Sequence, residues 1–141
     1  MTINPEAKTR GAPLSPLRRL RSYVPIHDRI TFGEALAVAE KQATALCRML
    51  DEAGEGLDER HLAELPRLKI FHEDLPVSGL SHWDGTSWVI RLNRRDSLTR
   101  QRFTLVHEFK HIVDHGAAAR LYRGSRQHQP AEQAELAADY F

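Results

Sequence analysis

The sequence predicts an α+β domain, a small antiparallel sheet packed with helices, and two observations predict it. Apolar residues recur at helical spacing before residue 51 and again after residue 97, while residues 68–93 change to short alternating runs around the tight-turn pair Asp84-Gly85. With 141 residues, 41% hydrophobic and 28% charged, the chain is long enough to bury one core and reads as an ordinary globular domain rather than a disordered segment.

The elements follow in order. Residues 1–28 form a basic arm with Arg10, Arg18, Arg19 and Arg21 set among Pro13, Pro16 and Pro25. Without interleaved aromatics or a reading helix it is expected to be a solvated terminus, and DNA contact is not expected. Leu14, Leu17 and Leu20 are spaced to make a short helical turn that docks on the body, residues 29–141. Thr31 with Glu34 three residues on is a capping box. The helix it opens is expected to run to about Asp51, with a stripe of Ala35, Leu36, Ala39, Ala43, Leu46 and Leu50, and to stop at Ala53-Gly54. A shorter helix is expected over Asp58 to Leu65. Leu68 to Phe71 reads as one strand, and Val77 to Trp83 with Thr86 to Leu92 as a hairpin. Asp96 or Ser97 caps a helix extending to His115. Gln129-Pro130 opens a last helix, rich in strong helix formers, that runs to Phe141.

Within the helix after Ser97 stands His107-Glu108-Phe109-Lys110-His111, an H-E-x-x-H pattern. Four residues is a little over one helical turn, so both imidazoles stand on one face and can hold a single ion. Zn²⁺ accepts such nitrogens at roughly 2.0–2.1 Å. Glu108, beside the first histidine, is placed to take a proton from an attacking water, the division of labour of a metallopeptidase. Leu105, Val106, Phe109, Ile112 and Val113 supply the apolar flank that half-buries such a helix. A hydrolytic site needs a third protein ligand. Glu135 on the last helix is the better candidate and Glu132 the weaker. Asp139, one turn beyond Glu135, is expected to accept the free N–H of a liganding histidine.

Arg102-Phe103-Thr104-Leu105-Val106-His107-Glu108-Phe109-Lys110-His111 followed by Glu135-Leu136-Ala137-Ala138-Asp139-Tyr140-Phe141 resembles the ImmA/IrrE family of zinc metallopeptidases. That family's usual signature is R-F-T-L-A-H-E-L-G-H and then E-x-x-A-[DN]-x-F-A. The resemblance covers about the last half of the chain. It implies a zincin-like fold, Zn held by His107, His111 and Glu135, Glu108 as catalytic base, and a protein substrate, typically a helix-turn-helix repressor. There are two departures from the signature. Phe109-Lys110 replaces the usual Leu-Gly, so Lys110 is expected to crowd or charge the cleft. The chain also stops at Phe141 where the signature runs on, which reads either as truncation or as the end of the site helix. These departures motivate an alternative, a non-catalytic, metal-stabilised module that binds a transcriptional regulator.

The remaining candidates surround that motif. Tyr122 and His128, in the polar connection over residues 116–129, are candidate donors to a tetrahedral oxyanion. His72 and His82 are weaker candidates, expected to be polar surface. The hairpin is the expected substrate platform, because an extended peptide can add to a free strand edge. His115 is expected to serve the helix C-terminus. The single cysteine, Cys47, excludes an intramolecular disulfide framework and is expected to pack as a small apolar residue. The net charge of +1 gives no pull toward nucleic acid or membrane. With neither a signal peptide nor a membrane-spanning run, the expected location is the cytoplasm. The sequence does not indicate an oligomeric state.

Overall fold

The computed structural model describes residues 15–50 and 59–141. Among them the elements are α1 (Pro16–Arg21), α2 (Phe32–Leu50), α3 (Glu59–Ala63), β1 (Leu68–Glu73), β2 (Gly79–Trp83), β3 (Trp88–Asn93), α4 (Leu98–Asp114), α5 (Ala118–Leu121) and α6 (Pro130–Tyr140). The class is the α+β expected. Met1 to Leu14, the expected end of α2 at Asp51 to Gly54, and the expected start of α3 at Asp58 lie outside the described residues.

Local chemistry sets the helix starts. Ser15 caps α1 by accepting from the Arg18 amide, with Pro16 in the first turn where its missing N–H costs nothing. Thr31 and Glu34 form the expected capping box: Thr31 Oγ1 accepts from the Glu34 amide at 3.1 Å, and Glu34 Oε1 accepts from the Thr31 amide at 3.4 Å. Of the two candidate caps for α4, Ser97 is the one used, its Oγ accepting from the Arg100 amide. That helix ends at Asp114 rather than His115, whose ring packs edge-on against Trp88 with centroids 4.8 Å apart.

The sheet corrects one expectation: it is mixed, in the order β1-β3-β2. The turn at Asp84-Gly85 makes β2 and β3 antiparallel, with Asp84 Oδ1 accepting from the Thr86 and Ser87 amides and Gly85 at φ 105°. Residues 74–78 carry the chain past one strand position, and β3 returns into that gap. It therefore meets β1 in parallel, Leu68 opposite Trp88 and Ile70 opposite Ile90. β2 is left as an edge strand lying against α4.

The core fills the space between the sheet, α4 and α2. Leu46, Leu62, Leu68, Ile90, Leu92, Leu105, Phe109, Ile112 and Val113 are all buried there. Leu20 of α1 joins them with no exposed surface, and Leu17 packs partly against them, so the docking expected of these leucines occurs and part of the basic arm belongs to the body. Arg21, at the end of α1, donates to the carbonyls of Ile112 and Val113 at 2.7 and 3.1 Å in the last turn of α4, where Ile112 also accepts from the His115 amide. Cys47 is exposed, not packed. The stripe on α2 lies slightly round from the one read from apolar residues alone, because it includes buried Gln42. No helix among the described residues is long and apolar enough to cross a membrane.

Candidate metal centre

α4 lies with its apolar side on the core, leaving His107, Glu108 and His111 half-buried along one flank. α6 packs against α4 and presents Glu135 to the histidines. His107 Nε2 and His111 Nε2 stand 3.2 Å apart. Glu135 Oε2 is 2.9 Å from the first nitrogen, and Oε1 is 3.1 Å from the second. Glu135 thus turns one oxygen to each histidine, and one ligand atom from each of the three residues lies within 4.8 Å of the others, a group that could hold a single ion. Two imidazoles and one carboxylate also match the chemistry of a transition-metal site.

Asp139, one turn beyond Glu135, faces the other ring nitrogen of His107. Its Oδ1 is 2.7 Å from His107 Nδ1. With the Nδ1 proton donated to Asp139, the Nε2 lone pair is left facing Glu135 and His111. Glu132 is not among these groups; it bonds His128 Nδ1 at 3.2 Å instead. His128 and Glu132 line an open hollow of about 380 Å³ together with Glu135 and Asp139, so His128 borders the centre without entering it.

Tyr122 is not at the site. The turn after α5 sends its ring inward, where it is 3% exposed and its hydroxyl donates to Asp114 Oδ2. Burial, reinforced by the Asp114 carboxylate, pushes its phenol far above the ordinary range and keeps it protonated, but with the hydroxyl turned inward to Asp114 it is not placed to donate to an oxyanion in the cleft. His72 bonds Glu59 and Gln101 away from the centre.

Lys110 also departs from expectation. At 100° per residue it lies about 60° round the helix from His107, on the side away from Glu108, and this flank faces α2 rather than the cleft. Its side chain has no exposed surface, and Nζ donates to Gln42 Oε1 and to Asp114 Oδ1, both at 2.6 Å. Gln42 in turn donates to the Leu20 carbonyl at 3.0 Å. Burial pulls the ammonium below its ordinary range while Asp114 opposes the shift. Lys110 therefore neither crowds nor charges the metal centre.

One group at the site escaped the sequence reading. Ser81, on β2, donates its hydroxyl to Glu108 Oε2 at 2.8 Å. The available signal was the alternation of β2, which puts Gly79, Ser81 and Trp83 on one face.

A family profile described as the IrrE N-terminal-like domain, a peptidase family, matches residues 63–141. The chain belongs to this family. The match begins at the end of α3 and takes in the sheet, α4 and α6, and with them every residue of the centre. Membership makes the IrrE N-terminal-like domain here a peptidase of metallopeptidase type, and the mixed sheet under helices agrees with a zincin-like domain. No curated protein and no solved structure matched.

Proposed function

We propose that this IrrE N-terminal-like domain is a zinc-dependent endopeptidase that cleaves a regulatory protein, in keeping with the family resemblance a helix-turn-helix repressor. The observation that carries the reading is the convergence of His107 Nε2, His111 Nε2 and a Glu135 carboxylate within 4.8 Å of one another, with Asp139 bonded to the far side of His107. Zinc bound by these three residues would supply Lewis acidity toward the scissile carbonyl and toward a water.

The chain's own groups supply the rest. Glu108, on the turn between the two histidines, takes the proton of the attacking water and returns it to the leaving amine. Asp139 keeps His107 in the Nδ1–H tautomer and fixes its ring. Among the described residues no strand pairs with the outer edge of β2, which can offer its backbone groups to an extended peptide whose affinity comes from main-chain hydrogen bonds. Phe103, 43% exposed one turn before His107, and Leu136, 41% exposed beside Glu135, give the rim apolar contacts for substrate side chains. The burial of Lys110 removes one of the two grounds for a non-catalytic module.

Metal content per chain, measured by elemental analysis, tests the centre: about one zinc in the parent and much less in Glu135→Ala is expected. Glu108→Gln tests the chemistry. It is expected to retain zinc and repressor binding while losing cleavage, and unchanged cleavage would refute the mechanism.

A further inference from the structure

β2 and α4 are matched in pitch. Gly79 and Ser81 are two residues apart on one face of the strand, a step of roughly 6.6 Å, and Thr104 and Glu108 are one turn apart on the helix, a step of roughly 6 Å. The first pair is in contact through a missing side chain. A Cβ on Gly79 would fall 2.5 Å from Thr104 Cγ2 and 3.0 Å from the Arg91 carbonyl oxygen, so only glycine lets the strand lie this close. The second pair is joined by a hydrogen bond, Ser81 Oγ to Glu108 Oε2 at 2.8 Å. The close approach at Gly79 thus carries the next inward-facing residue of the edge strand to the carboxylate.

We propose that Ser81 is a positioning residue for Glu108. It holds one carboxylate oxygen and so restricts the rotation of a side chain that would otherwise sample several rotamers, leaving the second oxygen to meet a proton on a bound molecule. A carboxylate has lone pairs on both oxygens and can accept from Ser81 and from a ligand at once. Hydrogen bonds to a charged group are stronger than neutral ones, so one hydroxyl suffices to set the orientation. Because Ser81 belongs to the edge strand, the same bond ties the placement of the proposed substrate platform to that of the proposed base. This inference rests on the metallopeptidase reading.

The test uses the full chain loaded with zinc, with acetohydroxamic acid as probe. Its zinc-chelating group carries a proton that a neighbouring carboxylate accepts on binding. Zinc affinity, by competition with a chromophoric chelator, and acetohydroxamate affinity are measured for the parent, Ser81→Ala, Ser81→Thr, Glu108→Gln and the Ser81→Ala/Glu108→Gln double variant. Ser81→Ala is expected to keep zinc affinity within about twofold and to weaken the hydroxamate about 5- to 10-fold, the scale of the net contribution of one hydrogen bond. Ser81→Thr, which keeps the hydroxyl, is expected to restore binding to within about twofold. In the Glu108→Gln background the serine change is expected to add little, because the group it orients is already altered. Unchanged hydroxamate affinity in Ser81→Ala, or an equal loss in both backgrounds, would overturn the positioning role and leave the metal reading standing. A parent that binds no zinc would overturn both.

Discussion

Lys110→Met is the substitution that most directly tests how α4 is held. It keeps the length of the side chain and removes the charge. Lys110 makes two short charge-assisted bonds, to Gln42 and Asp114, with no exposed surface, so its loss leaves a buried carboxylate and a buried amide oxygen short of a donor. Breaking a buried ion pair by removing one partner costs about 3–5 kcal/mol. The lower end is expected here, because Asp114 still accepts from the Tyr122 hydroxyl and still lies in the field of the Arg21 guanidinium. Urea unfolding of the two proteins, compared at equal m-value, gives the difference directly. The double variant Lys110→Met/Asp114→Asn is expected to recover at least about 1 kcal/mol of it, since contacting residues couple by about 0.5–3 kcal/mol. Zinc affinity is expected to stay within about threefold of the parent, because the substituted side chain lies on the α2 flank of the helix, away from the histidines. A loss below about 1 kcal/mol would show that this network does not bear on stability, and tighter zinc binding in the variant would show that Lys110 does act on the centre.

Two further expectations concern other bonds. Asp139→Ala, which frees His107 Nδ1, is expected to lower zinc affinity about 10- to 100-fold while Glu132→Ala leaves it nearly unchanged; a chelator titration of the two separates the bonded carboxylate from a mere nearby charge. His72 is held above its ordinary range first by its bond to Glu59, against burial, which pulls the other way, with the Glu59 charge and the bond to Gln101 adding to the rise. A group whose folded value is raised contributes stability that is fully present below its unfolded value of about 6.5 and is lost as pH rises through the folded value. Unfolding midpoints between pH 6 and 9 are therefore expected to fall more in the parent than in His72→Gln, by a small amount because the pair is partly open to solvent. Parallel profiles would remove His72 as the cause.

What could be read from the sequence was what is encoded within a turn or two of chain. The spacing of His107 and His111 put both rings on one helical face, and the spacing of Glu135 and Asp139 did the same on α6. The Thr31–Glu34 box and the Asp84-Gly85 turn depend on residues at most three apart. The parallel pairing of β1 with β3 depends on where a distant hairpin inserts, which no local pattern encodes. Lys110 reads as a cation in the cleft until Gln42, 68 residues earlier, is seen to receive it. Tyr122 looks like a loop donor until Asp114 turns it inward. Ser81 is one serine among several in the sequence, and only the packing of β2 on α4 brings it to Glu108.

The grip of Arg21 on the last turn of α4 bears on where this protein can be cut. The family match starts at Ala63, yet Ile112 and Val113 receive hydrogen bonds from Arg21, Lys110 is met by Gln42, and Leu20 and Leu46 fill the core beneath Phe109. Among the described residues, the packing around α4 thus reaches beyond the matched stretch. A fragment trimmed to the matched residues would carry the whole histidine and carboxylate set on a helix with a barer apolar side, with Lys110 left to Asp114 alone and the bonds from Arg21 to the last turn lost. Trimming only to residue 29 would keep Gln42 but still strip away Leu20 and Arg21. Residues 15–50 pack as a far wall to α4, and a fragment meant to keep the site helix held as it is here should begin no later than Ser15.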